Sequence, residues 1–217
     1  QVYNTIENPV ITKSRHEICR IHNIKEDKFI LCEVAFLSAR KGQMYILKAL
    51  SKIKELHPDI FSRMVLFLVG DGEDYYKLKQ YCENNALFNV IFTGYQANYI
   101  DYIACSDIFL LPSTGGEDMP LAVLSAMNLG KPIIAGEIAG IAEEIENQKS
   151  GILLKVEQLD NLDLEIVKLF KGPDLRHRYS ENARSRFATN FSQPVVYQKI
   201  IDLYANLGLY DKAALKA

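Results

Sequence analysis

The sequence predicts an α/β protein, a doubly wound parallel Rossmann-like sheet followed by extra C-terminal helices. Three observations predict it. Short runs such as Val65-Leu66-Phe67-Leu68-Val69 and Ile108-Phe109-Leu110-Leu111 are apolar on both faces, as strands buried on both sides of a parallel sheet must be. Amphipathic segments alternate with these runs, which is the rhythm of right-handed βαβ units. Ten of the twelve glycines fall between Gly42 and Gly151, inside the alternating stretch.

Taken in order, an irregular segment leads to a short helix over 14–22, then a strand over 29–36. A helix over 44–57 carries Ile46, Leu47, Leu50, Ile53 and Leu56 on one face. The pattern continues with strands at 64–69, 90–93, 108–111, 132–135 and 151–156, and helices at 75–85, 99–105 and 121–129. Beyond Val156 it is helical throughout. Leu159, Leu162, Ile166, Leu169 and Phe170 share one face, and Pro173 opens a second helix. Ser192 reads as the N-cap, with Pro194 in the first turn, of a helix carrying Tyr197, Ile200, Ile201, Tyr204 and Leu207. The organisation expected is an N-terminal segment with its short helix (1–27), the sheet domain (28–157) and helices packed on it (158–217).

Composition narrows the function. Twenty-five basic against twenty-seven acidic residues give a net charge of −2, so there is no basic field for nucleic acid or an anionic membrane. No apolar run approaches the ~20 residues of a membrane span. The chain begins at Gln1 without a signal peptide and reads as a piece excised from a longer protein. Cys19, Cys32, Cys82 and Cys105 are scattered with no C-x-x-C pair, which suits free thiols in a reducing cytoplasm and neither a disulfide frame nor a zinc site. No Asp-x-Asp occurs, so no metal is expected, and the four histidines lie away from the loops considered next.

Ligands of doubly wound sheets sit beyond the carboxyl ends of the strands. That selects the loops after Phe36, Val69, Thr93 and Leu111. The last reads Pro112-Ser113-Thr114-Gly115-Gly116-Glu117-Asp118-Met119-Pro120 and runs into a helix. Its glycines let backbone approach a ligand, and a helix start offers free amides and a partial positive charge to an anion. Glu117 is open to two roles, capping that helix or meeting a ligand; Asp118 reads as a solvated first-turn acid. Gly70-Asp71-Gly72 would need glycine at Tyr75 to complete a dinucleotide fingerprint, so it reads as a tight turn.

The ordered set Lys41-Gly42, Val69-Gly70-Asp71-Gly72, Phe92-Thr93-Gly94, Ser113-x3-Glu117-x2-Pro120-Leu-Ala-Val-Leu-x-Ala126-Met127-x2-Gly130-Lys131-Pro132, Ala139-Gly140-Ile141-x-Glu143 and Ser150-Gly151-Ile152-Leu153 resembles family 4 of the retaining nucleotide-sugar glycosyltransferases. The resemblance covers about residues 2–204. It implies a GT-B fold, of which this chain is the C-terminal, donor-binding half. The N-terminal domain, which would hold most of the acceptor, is missing. The implied reaction moves a hexosyl unit from a nucleoside diphosphate sugar to a hydroxyl acceptor in glycan or polysaccharide biosynthesis, without a covalent nucleophile and with no cofactor beyond the donor. Glu117 is then the catalytic residue beside the donor sugar, and Lys41 the phosphate ligand. Gly42, Gly70, Gly115, Gly116, Met119, Pro120 and Leu121 line the donor site. Tyr95 is open between meeting the base and lying idle on the surface. Glu143 is open between a helix cap and a donor-loop acid. Two positions depart from the family pattern. Phe36 stands where the family has its phosphate-binding arginine, with Arg40 nearby. Ser125 stands where a second glutamate takes the ribose hydroxyls, and is open between a weak ribose contact and helix packing. The implied location is the cytoplasm, or a membrane periphery reached through the missing half. Phe36 and Ser125 also keep open a degenerate, non-catalytic binding module. Another GT-B enzyme, such as a sugar-nucleotide epimerase, is disfavoured by the pattern from Pro120 to Pro132. The isolated chain is expected to fold but to transfer no sugar.

Overall fold

The computed structural model describes residues 2–209. Six parallel strands make one sheet: β1 (Phe29–Val34), β2 (Met64–Val69), β3 (Val90–Gly94), β4 (Ile108–Leu111), β5 (Ile133–Gly136) and β6 (Ile152–Leu154), in the order β3-β2-β1-β4-β5-β6. The chain first builds outward from β1 to β3, then returns to the other side of β1 with β4. The strand order therefore reverses between β1 and β4, where the loops leaving two adjacent strands diverge and open a crevice at their carboxyl ends.

The pleat sorts the apolar side chains. Leu31, Leu66, Leu68, Ile108, Leu110, Ile134 and Ile152 face one layer, built from α2 (Gln43–Leu56), α3 (Pro58–Phe61), α4 (Tyr75–Asn84) and α8 (Leu162–Lys171). Ile30, Cys32, Phe67, Val69, Phe109, Leu111, Ile133 and Ala135 face the other. That layer contains α1 (Arg15–Ile21), α5 (Ile100–Cys105), α6 (Leu121–Asn128), α7 (Ile141–Glu144) and part of α9 (Pro173–Asn190). The C-terminal helices thus complete the same two cores, and α10 (Gln193–Asn206) follows α9. The N-terminal segment returns to this end of the chain: Ile6 bridges Ser192, and Thr5 Oγ1 donates to the Phe191 carbonyl at 2.6 Å. All four cysteines are buried and free. Among the described residues no helix is long and apolar enough to cross a membrane.

The structure differs from the sequence expectation at several ends. β1 stops at Val34 because its pairing with β2 closes at Val34 and Val69; Ala35 then turns away, its amide donating to the Val69 carbonyl. The last strand ends at Leu154, and Val156 instead opens a 3₁₀ turn, Val156–Asn161. Two single-turn helices, α3 and α7, were not read from the sequence. Ser192 does occupy the N-cap of α10, but its hydroxyl donates back to the Ala188 carbonyl at 2.8 Å and caps nothing. The last eight residues of the expected C-terminal unit, 210–217, lie outside the described residues, as does Gln1.

Candidate functional site

At the reversal point the loops after β1 and β4 are knitted together. Gly42 holds φ at +82°, and a Cβ there would lie 2.0 Å from the Pro112 carbonyl oxygen, so only glycine allows this approach. The Thr114 amide donates to the Arg40 carbonyl at 2.8 Å, and Arg40 Nη1 donates to the Gly116 carbonyl at 2.7 Å. This lattice sets Lys41 against Glu117. The lysine ammonium is hydrogen-bonded to Glu117 Oε1, and the Ser113 hydroxyl donates to the same oxygen at 2.7 Å. Both charged groups are largely withdrawn from solvent, where an ion pair is screened far less than at the surface.

The capping role left open for Glu117 has no bond behind it. The N-cap of α6 is Pro120, in an extended conformation with no side-chain cap, so the leading amides of α6 are left without an intrahelical acceptor. Glu117 faces Lys41 instead.

The loop after β5 closes the site from the other side. A Cβ on Gly140 would lie 1.0 Å from the Asp118 carbonyl oxygen, so α7 presses directly on the strip that carries Glu117. Two further acids lie buried around this centre with no hydrogen-bond partner on either oxygen: Glu33 on β1, 1% exposed, and Glu144 on α7, 0% exposed. Burial pushes the Glu33 carboxyl well above the usual carboxylate range, against a downward pull from the charge of Lys41; the Gln43 amide donates to the Phe36 carbonyl at 3.2 Å instead. Burial, with a smaller contribution from the negative charge of Glu117, pushes Glu144 up to about 9. At about 9, the Glu144 carboxyl is a neutral acid near pH 7.

A cleft of about 460 Å³ opens over the carboxyl ends of β1, β2 and β3. Val34, Ala35 and Val69 line it, together with Gly70, Phe36 (54% exposed), Tyr95 (80% exposed) and Tyr99. Neither Lys41 nor Glu117 lines this cleft; Phe36, on the loop that ends in Lys41, links the two. A second depression of about 380 Å³ lies between the N-terminal segment and the loop before α6, lined by Tyr3, Asn4, Asp118, Met119, Gly140 and Glu143. Asn4 Nδ2 donates to the Met119 carbonyl at 3.3 Å.

The remaining expected residues separate into groups. Gly115 has open space at its Cβ position, whereas Gly116 is packed against the Arg40 guanidinium. Pro120 and Leu121 form the entrance of α6, with Leu121 half exposed. Asp71 accepts from the Gly72 amide at 2.8 Å, as a turn residue does. Ser125 is buried; its hydroxyl donates to the Leu121 carbonyl at 2.8 Å and lies 3.4 Å from the Tyr99 hydroxyl, so it is directed into the packing of α6 and not toward solvent. Among the described residues no group of three or more His, Cys, Asp or Glu is arranged to hold a metal.

Sequence reasoning missed Glu33, Glu144, Tyr99 and the Arg40 contact. Glu33 did leave a signal, a lone charge inside the apolar run Phe29-Ile30-Leu31-Cys32-Glu33-Val34. Glu144, second of two adjacent glutamates, looks like any surface acid.

Comparison with known proteins adds four matches. The family model described as "Glycosyl transferases group 1" matches residues 14–186. An uncharacterized glycosyltransferase of Methanocaldococcus jannaschii is 32% identical over 218 residues, covering 94% of this chain and 54% of that protein. The UDP-Gal:alpha-D-GlcNAc-diphosphoundecaprenol alpha-1,3-galactosyltransferase of Escherichia coli is 29% identical over 192 residues, covering 87% of this chain and 48% of that enzyme. Among solved structures, Anabaena HepE in complex with UDP-glucose superposes with a TM-score of 0.81 at 24% identity, covering 94% of this chain and 57% of that one. The chain spans about half the length of the curated relatives it matches.

Proposed function

The chain belongs to the glycosyl transferases group 1 family, and we propose that it is the donor-binding half of a retaining glycosyltransferase that moves a hexosyl unit from a nucleoside diphosphate sugar to a hydroxyl acceptor in glycan biosynthesis. The observation that carries this reading is the meeting of Lys41 and Glu117 at the reversal of strand order, where a doubly wound sheet takes its ligands. The galactosyltransferase among the relatives and the neighbour solved with UDP-glucose support the class of donor.

On this reading the residues act by positioning and by stabilising charge. Lys41 leaves Glu117 for the diphosphate, which carries the charge that develops on the leaving group. The first amides of α6 meet the same anion. Glu117, held by Ser113, orients the sugar, and the open space at Gly115 admits it. The aromatic cleft of Phe36, Tyr95 and Tyr99 offers ring surface to the base. The acceptor hydroxyl would come from the part of the protein that lies outside this chain.

Melting curves with UDP, UDP-glucose and uridine test the reading. A ligand that binds only the folded state adds RT ln(1 + [L]/Kd) of stability. UDP and UDP-glucose should raise the melting temperature, and uridine should raise it less. The second reading, a binding module without transfer activity, is favoured by one observation: Ser125 spends its hydroxyl inside α6, where the family pattern has a ribose-binding acid. Stabilisation by none of the three ligands would favour it.

A further inference from the structure

Residues 112–120 form neither helix nor strand, and two adjacent glycines stand near their middle. Glycine has the most backbone freedom to lose, so a strip of this kind needs outside bonds to hold one shape. Arg40 supplies them from two sides. Its carbonyl accepts from the Thr114 amide at 2.8 Å and from the Thr114 hydroxyl at 3.3 Å. Its guanidinium reaches past Gly115, where Nη1 donates to the Gly116 carbonyl at 2.7 Å. The two residues that Arg40 holds are thus the neighbours of Gly115, the glycine of the pair with open space at its Cβ position. Gly116 has φ at +66°, and a Cβ there would lie 2.4 Å from Nη1, so the guanidinium is packed on the main chain of the strip itself.

Arg40 and Lys41 are consecutive on one 3₁₀ turn, Ala39–Lys41, and they grip consecutive residues, Gly116 and Glu117. The two bonds differ in kind. Lys41 is matched to a carboxylate, whose place a diphosphate can take. Arg40 is matched to a main-chain carbonyl, and its departure would remove a donor from the backbone and slacken the glycine pair. We propose that Arg40 is a positioning residue for the donor sugar: its clasp around Gly115 keeps the strip 114–117 in shape once Lys41 has turned to the diphosphate, and it binds no phosphate itself. The arginine near Phe36 therefore does not stand in for the phosphate ligand that the family pattern has at that position; it shapes the neighbouring sugar subsite. The proposal rests on the reading of Lys41 as the diphosphate ligand and of the space at Gly115 as the sugar's.

Calorimetry with UDP and UDP-glucose separates this role from its alternatives. Arg40→Met should weaken UDP-glucose by about five- to tenfold and leave UDP within about twofold, since one hydrogen bond from a charged, solvent-facing group is lost and it acts only where the sugar lies. Arg40→Lys keeps a charged donor and should recover part of the loss. Equal losses for the two ligands would make Arg40 a phosphate ligand or a general support of the fold, and would overturn the proposal; so would no loss for either. Hydrogen exchange reads the strip directly. Peptides covering 113–120 should exchange faster by about tenfold in Arg40→Met, the loss of a hydrogen bond to a charged group. In wild type saturated with UDP, where Lys41 is withdrawn, they should exchange no faster than in the free chain. Faster exchange on UDP binding, or unchanged exchange in Arg40→Met, would show that the strip is held otherwise and overturn the proposal. The site reading survives each of these results. It falls, and the proposal with it, if the wild-type chain binds no UDP.

Discussion

The two ends of the sheet treat their charges in opposite ways. At the amino ends of the strands Arg15, Asp107 and Lys131, all partly buried, are tied to main chain. Arg15 donates to the carbonyls of Cys105 and Lys28, both at 2.6 Å, and pairs with Asp107 at 3.1 Å. Asp107 accepts from the Ile30 amide at 2.7 Å, and Lys131 donates to the carbonyls of Ala104 and Ser106 at 2.6 and 2.9 Å. These groups tie α1, β1, β4 and the turn before β5 to one another, so their bonds are part of the fold. At the carboxyl ends Lys41 and Glu117 hold each other, and Glu33 and Glu144 hold nothing. A charge that satisfies backbone cannot leave without unravelling it, whereas a charge that satisfies another side chain can be exchanged for a ligand's. The difference separates the end that builds the protein from the end that is available for work.

Changes at the amino ends should have the largest effect on stability. Asp107→Ala releases Arg15 and orphans the Ile30 amide, and should cost about 3 kcal/mol in denaturant unfolding, since hydrogen bonds to charged groups are worth ~1.5–3 kcal/mol each and both groups here are partly exposed. UDP affinity should stay the same in the folded variant; a parallel loss of binding would mean the two ends are coupled. At the carboxyl ends the sign should invert. Glu33→Leu removes an unpartnered buried acid from β1 and should stabilise the chain by about 1–2 kcal/mol. Destabilisation would show that Glu33 is satisfied in solution after all.

The pH dependence sharpens the contrast further. The Glu144 carboxyl lies at about 9 in the folded chain against an ordinary 4.5. A group whose folded value is raised contributes stability that is fully present below its unfolded value and is lost as pH climbs to the folded one. The wild-type melting temperature should therefore fall relative to that of Glu144→Gln as pH rises from about 5 to about 9. A constant difference across that window would place Glu144 in water. The smallest effect is expected at Ser192→Ala, because its hydroxyl bonds backward to Ala188 and leaves α10 uncapped. Its unfolding free energy should change by a few tenths of a kcal/mol, well short of the ~1 kcal/mol lost when a true N-cap is removed.

What the sequence revealed follows the same division. The parallel sheet was legible because strands buried on both faces must be apolar on both, as Val65 to Val69 and Ile108 to Leu111 are. The loops that meet at the site were legible because ligands of a doubly wound sheet sit beyond the carboxyl ends of its strands, and glycines such as Gly42 and Gly116 mark the turns there. The single-turn helices α3 and α7 were not legible, since four residues carry too little periodicity to register. The partnership of Lys41 with Glu117 spans 76 positions and is set by tertiary packing alone. Ser125 and Glu144 show the same limit in opposite directions. One is a polar residue at an expected binding position that turns out to serve its own helix, and the other a plain acid in a helical turn that turns out to be fully buried.

The central claim is that Lys41 is free to exchange Glu117 for a diphosphate, and calorimetric titration of the wild-type and Lys41→Ala chains with UDP and with uridine tests it most directly. The account predicts that Lys41→Ala weakens UDP by about tenfold or more and leaves uridine nearly unchanged, since one charge-assisted contact to the phosphates is lost and none to the base. Equal losses for the two ligands, or none for either, would contradict it and make the ion pair at the carboxyl ends as structural as the one at Arg15.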